Sequence, residues 1–93
     1  NGLAPAEDER ITMLIEECAE VIQIACKIQR HGYESCHPDD LTTTNREMLR
    51  KEVTDVHAVL SLMSMDGMTG IGLMEIYEAL ERKLRYSHHQ AKA

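Results

Sequence analysis

The chain has no phenylalanine, no tryptophan and only three tyrosines. Its core must therefore be aliphatic, drawn from Leu, Ile, Val and six Met, a mixture that suits packed helices. No apolar run approaches the roughly 20 residues of a membrane-spanning helix, and no signal peptide is evident. Positive charge is also scarce. The net charge of −6 argues against a surface for polymeric nucleic acid, which needs clustered Lys and Arg. It leaves room for a nucleotide, because a metal ion can supply the missing positive charge. The three cysteines, Cys18, Cys26 and Cys36, are an odd number without framework spacing. A reducing, cytoplasmic setting is the expectation. Repeats, low-complexity tracts and strand-like alternation are absent.

What is present reads as helix. With 93 residues the chain is expected to be one domain over 1–93. A domain this small buries a modest share of its surface. The first helix is expected from Pro5 or Ala6 to Arg30. Glu7, Asp8 and Glu9 lie at its positive end, and His31-Gly32 stops it. Residues 32–43 read as a loop broken by Pro38, and a loop of this length in a small domain is often functional. Thr44 and Glu47 fit a capping box opening a second helix that runs to about Asp66, with Gly67 as its stop. A third helix is expected over Leu73 to His88, with Leu73, Tyr77, Leu80 and Leu84 in one stripe and Tyr77 in the core. The fold class is therefore all-α: an antiparallel bundle of about three helices, completed by oligomerisation.

The placement of the acids is the informative feature. At about 100° per residue, Glu17 falls within the apolar arc of the first helix, close to Met13, Ile24 and Ile28. Cys18 lies in the same arc and reads as core. Glu20 sits at the arc's edge, while Glu16 turns toward the polar face. On the second helix, Glu52 is surrounded by Met48, Val56, Val59 and Met63, and Asp55 lies between Val59 and Leu62. An ionised carboxylate facing a core must be paired, protonated or bound to metal. Each helix offers two acids at i and i+3, which are neighbours on one face. The cations nearby, Lys27 and Lys51, are too few to neutralise four carboxylates. A hard divalent cation with oxygen ligands, Mg²⁺ or Mn²⁺, is the economical solution. The alternative is a non-catalytic helical dimerisation module whose acids form intersubunit salt bridges. A metal-binding bundle without hydrolysis is a third reading.

Two motifs sharpen the choice. Glu16-Glu17-Cys18-Ala19-Glu20 matches E-E-x-x-E, and Glu52-Val53-Thr54-Asp55 matches E-x-x-D. On consecutive helices, within LIEECAEVIQ and LRKEVTDVHAVLSLM, they resemble the signature of the MazG-like all-α nucleoside triphosphate pyrophosphohydrolases. KIQRHGY and TNREML resemble small phage-type and mobile-element members of that family. The resemblance covers roughly residues 11 to 66. The gap between Glu20 and Glu52 is wider than in compact members, and Thr54 stands where glycine is frequent.

The resemblance implies Mg²⁺-dependent hydrolysis of a nucleoside triphosphate between the α and β phosphates, giving the monophosphate and pyrophosphate. It implies a homodimer or homotetramer, with Glu17, Glu20, Glu52 and Asp55 as metal ligands and Glu16 in support. A carboxylate not fully used by metal is expected to take the proton from an attacking water. Charge developing on the leaving group calls for cations, with Lys27 the first candidate and Arg30, Lys51, Lys83 and Arg85 the others. Asn45 shares the face of Glu52 and is a candidate for binding phosphate or sugar. Tyr33 and Tyr86 are weaker candidates for stacking on a base. His57 reads as structural or surface, and Cys36 with His37 is too isolated a pair for zinc.

Overall fold

The computed structural model describes residues 1–68 and 70–91. It is mainly helical, with α1 over Pro5–His31, α2 over Asn45–Met63 and α3 over Leu73–Arg85. A small hairpin joins α1 to α2, with β1 at Cys36–His37 and β2 at Asp40–Thr44, paired antiparallel. A single 3-10 turn, Ser64–Asp66, extends α2. The all-α expectation holds. The differences lie in the connection, where the expected loop contains this two-stranded ladder, and in α3, which ends at Arg85 rather than at His88.

The helix ends follow from local chemistry. Pro5 occupies the first turn of α1, and the Glu7 carboxylate accepts from the Ala4 N–H at 2.8 Å. Gly32, at φ 86°, closes the other end by donating its N–H to the Ile28 carbonyl at 2.7 Å. At the start of α2, Thr44 Oγ1 accepts from the Glu47 N–H at 3.2 Å. The Glu47 carboxylate then accepts from the Thr44 hydroxyl at 3.3 Å. This reciprocal pairing differs from a full capping box, in which the glutamate would take the cap residue's backbone N–H. Gly67, at φ 80°, supplies the left-handed residue that ends the 3-10 turn.

α1 and α2 lie against each other along one seam. Ile24, Val59 and Met63 are its buried apolar residues. Two polar contacts fix the ends. Arg10 pairs with Asp66 at 3.3 Å, both side chains mostly buried. At the other end, buried Asn45 donates from Nδ2 to the Gly32 carbonyl at 3.1 Å. The four acids of the two motifs lie between these contacts.

Around this seam, residues such as Leu14, Val21, Ile28 and Val56 are half-buried, and further apolar surface is open. Ile15 and Ile22 are exposed, as are Val53 and Leu62. Cys18 is exposed as well, which corrects its expected place in the core. The reason is geometric. Cys18, Ile15 and Ile22 are about 100–160° around the helix from Glu17, beyond the reach of a single neighbouring helix. Tyr77 is 59% exposed, against the expectation of burial, together with Leu73, Met74, Ile76 and Leu80 of α3. Within one chain, Leu73, Tyr77 and Leu80 of the α3 stripe stay exposed, whereas Leu84 is half-buried. The radius of gyration, 16.5 Å, also exceeds the roughly 12 Å of a compact domain of this length.

Candidate functional site

Glu17 and Glu20 come from the middle of α1, and Glu52 and Asp55 from α2. One carboxylate oxygen from each forms a group in which all four atoms lie within 4.8 Å of one another. The acids differ in exposure: Glu52 is buried, Glu17 and Asp55 are half-buried, and Glu20 is exposed at the edge. This is the order expected from their positions around the helices. Glu16, on the outer face, is exposed and takes no part in the group.

The electrostatics of the group are unbalanced. Lys51 Nζ lies 3.3 Å from Asp55 Oδ2 and 3.6 Å from Glu52 Oε1. Those two acids, Asp55 foremost, hold the Lys51 ammonium above its usual pKa. One lysine does not neutralise four carboxylates. Glu17 Oε2 and Glu52 Oε2 are buried without a hydrogen-bond partner. Glu52 is pushed above the usual carboxyl range, first by its hydrogen bond with Glu20, then by burial and by the charge of Glu20. A buried carboxylate oxygen without a donor is costly to keep in a folded chain. Four converging oxygens, with two orphaned oxygens on the same acids, are a donor set that a hard divalent cation fits.

Lys27 and Lys51 line a groove with Glu20, Gln23, Met48 and Glu52. Lys27, the first candidate cation for the leaving group, thus lines the same groove as Glu20 and Glu52. Arg30 and Asn45 lie further along, in a cavity of about 360 Å³ between the last turns of α1 and the hairpin. Lys27 lines this cavity too. Asn45 has already committed its Nδ2 to Gly32, so its position is fixed by the fold. Lys83 and Arg85 are exposed on α3 and line neither the groove nor the cavity.

Sequence reasoning did not select His31 and His37 for a site, yet both line the cavity. Only the folding of the hairpin back over the end of α1 brings them together. A turn with Asp39, whose N–H donates to His37 Nδ1 at 3.0 Å, was the available local signal. Tyr33 is occupied, with the Arg46 guanidinium 4.3 Å from its ring centroid. Tyr86 is exposed and His57 lies at the surface, as expected of the latter. No helix among the described residues is long and apolar enough to cross a membrane. No protein-family model matches the chain, and neither a curated protein nor a solved structure was found to match it.

Proposed function

We propose that the chain is a Mg²⁺-dependent nucleoside triphosphate pyrophosphohydrolase, with Mn²⁺ as a substitute ion. The observation that carries this reading is the convergence of Glu17, Glu20, Glu52 and Asp55 with two buried, unpartnered oxygens. The resemblance of both motifs to the MazG-like family supplies the reaction. A bound divalent ion would neutralise phosphate oxygens and lower the pKa of a water.

The chain's own residues account for the rest. Glu17, Glu20, Glu52 and Asp55 each offer one oxygen at the seam. The second oxygen of Glu20, exposed at the edge of the group, accepts the proton of the attacking water and passes it to solvent. The water oxygen bonds to phosphorus, the α–β phosphoanhydride bond breaks, and pyrophosphate leaves with the bridging oxygen. Lys51 and Lys27 provide cationic partners for the phosphates along the groove.

The open apolar flanks favour a second copy of the chain. α3's stripe and the outer arc of α1 are too extensive for one helix pair to cover. In this reading dimerisation accompanies catalysis, whereas in the rival one it is the whole function. A panel of nucleoside triphosphates with Mg²⁺, assayed for pyrophosphate release, decides between them. Release from at least one nucleotide, lost in Glu52→Ala and Asp55→Ala, is expected. Activity that survives both substitutions would overturn the site, and absence of turnover together with absence of Mg²⁺ binding by calorimetry would favour the dimerisation module.

A further inference from the structure

We infer that the cavity between the end of α1 and the hairpin receives the nucleoside end of the substrate, with His37 and Arg30 setting its affinity. This rests on the pyrophosphohydrolase reading and adds a direction to it. The phosphates lie toward Lys51 and the acids, and the sugar and base lie beyond Lys27.

Continuity is the first argument. Lys27 lines both the groove that holds Glu20 and Glu52 and the cavity that holds Arg30, His37 and Asn45. A molecule gripped at the acids therefore has a path along α1 into the cavity. Distance is the second. Lys27 is seven residues beyond Glu20, or about 10 Å along the helix, and Arg30 is about 5 Å further. Phosphates bound at the carboxylates stay within a few ångströms of them. The span beyond Lys27 suits the sugar and base attached to the α phosphate.

The lining gives the third argument. Among the described residues, no acid lines the cavity. It offers two histidine rings, the Pro38 ring and the Asn45 side chain, alongside the cations Lys27 and Arg30. Planar rings and neutral polar groups recognise a heterocycle by stacking and hydrogen bonding. At about 360 Å³ the cavity lies within the range of small-molecule sites, about 300–1,000 Å³.

Its walls are also held in place before any ligand arrives. The Asn45 N–H donates to the Ser35 carbonyl and the Arg46 N–H to the Tyr33 carbonyl, both at 2.8 Å. Arg46 Nε pairs with Glu34 at 2.7 Å. The bond from the Asp39 N–H fixes the rotation of the His37 ring. Preorganised walls reduce the entropy lost on binding.

The test uses the whole chain with Mg²⁺, first by NMR. Nucleoside monophosphate and inorganic pyrophosphate are titrated separately. The monophosphate is expected to shift the amides of residues 35–37 and the Asn45 side chain, whereas pyrophosphate shifts residues near Glu20 and Lys51. The second arm is kinetic. His37→Ala and Arg30→Gln change exposed side chains, and circular dichroism checks that both variants fold. Each is expected to raise KM and the inhibition constant for monophosphate about tenfold, the loss of one base contact. Inhibition by pyrophosphate should stay unchanged. If the wild type releases pyrophosphate but the monophosphate leaves the hairpin unshifted, this subsite is overturned and the function stands. The same holds if pyrophosphate alone fills the cavity, or if both folded variants keep the wild-type KM. If the wild type hydrolyses no nucleotide, the function falls and the subsite with it.

Discussion

Glu20 and Glu52 bring carboxylate oxygens within 4.8 Å of each other across the seam of α1 and α2, and the closeness of Glu20, with burial, pushes the pKa of Glu52 up. Two acids that repel when ionised are thus held close together. Glu52 is the buried member and has an orphaned oxygen, while Glu20 opens to solvent. The pair is divided by position: one acid is fixed in the interior, and the other lies open to water.

Glu52→Gln should separate function from stability. The substitution keeps the shape, removes the charge and weakens the oxygen set. Pyrophosphate release is expected to fall by at least about a hundredfold, since even supporting residues of metal sites reach that effect. Without metal the variant is expected to be more stable than the wild type by roughly 1–3 kcal/mol, the scale of an unsatisfied buried polar group. Thermal melts in a chelator check the second outcome, and a less stable variant would contradict the account of Glu52.

The pH dependence has a definite sign. The folded-state pKa of Glu52 lies above its unfolded value, near 4.3. Its contribution to stability is therefore complete below about pH 4.3 and is lost as pH rises through the raised folded value. In chelator, the stability of the wild type relative to Glu52→Gln should decline across that window. Mg²⁺ should restore it at neutral pH, because the ion replaces the proton. Chelator melts whose difference from the variant is flat with pH would contradict this.

Asn45→Ala removes the bond to the Gly32 carbonyl at one end of the seam. Asn45 is buried, so the loss is expected to be about 1–2 kcal/mol, read from urea unfolding. The hairpin should loosen with it. Amide exchange over residues 32–44 should quicken more than exchange in the middle of α1.

Leu80→Glu on α3 and Ile22→Glu on α1 place charge on exposed apolar surface. In an isolated chain such changes are close to neutral. If these faces meet a second copy, each variant sediments as a smaller species than the wild type, and the wild type's melting temperature rises with protein concentration. Equal sedimentation of all three as monomers would leave the stripe without a partner copy.

The helices and the acids were legible because each rests on a local pattern. Thr44, Gly32 and Gly67 mark ends through their own backbone chemistry. Glu17 and Glu52 stand out as charges within apolar arcs. The hairpin was not legible, because its two strands are short and Cys36 to Thr44 lacks alternation. The cavity was hidden for a related reason. His31 and His37 meet only once the chain turns back, and no spacing along the sequence encodes that return. Cys18 and Tyr77 were misplaced because periodicity identifies an apolar face without saying whether the same chain covers it.

The bond from Asn45 to Gly32 ties off the hairpin at its base. None of the four acids lies in the segment between them; all four sit on the helices of the seam. The tip of the hairpin, residues 37–41, lies beyond the contacts that Tyr33, Ser35 and Thr44 make with α2, so it can change length or character while the acids stay in register. Under the proposed function, such an arrangement lets substrate preference shift through the connecting segment without disturbing the acid cluster.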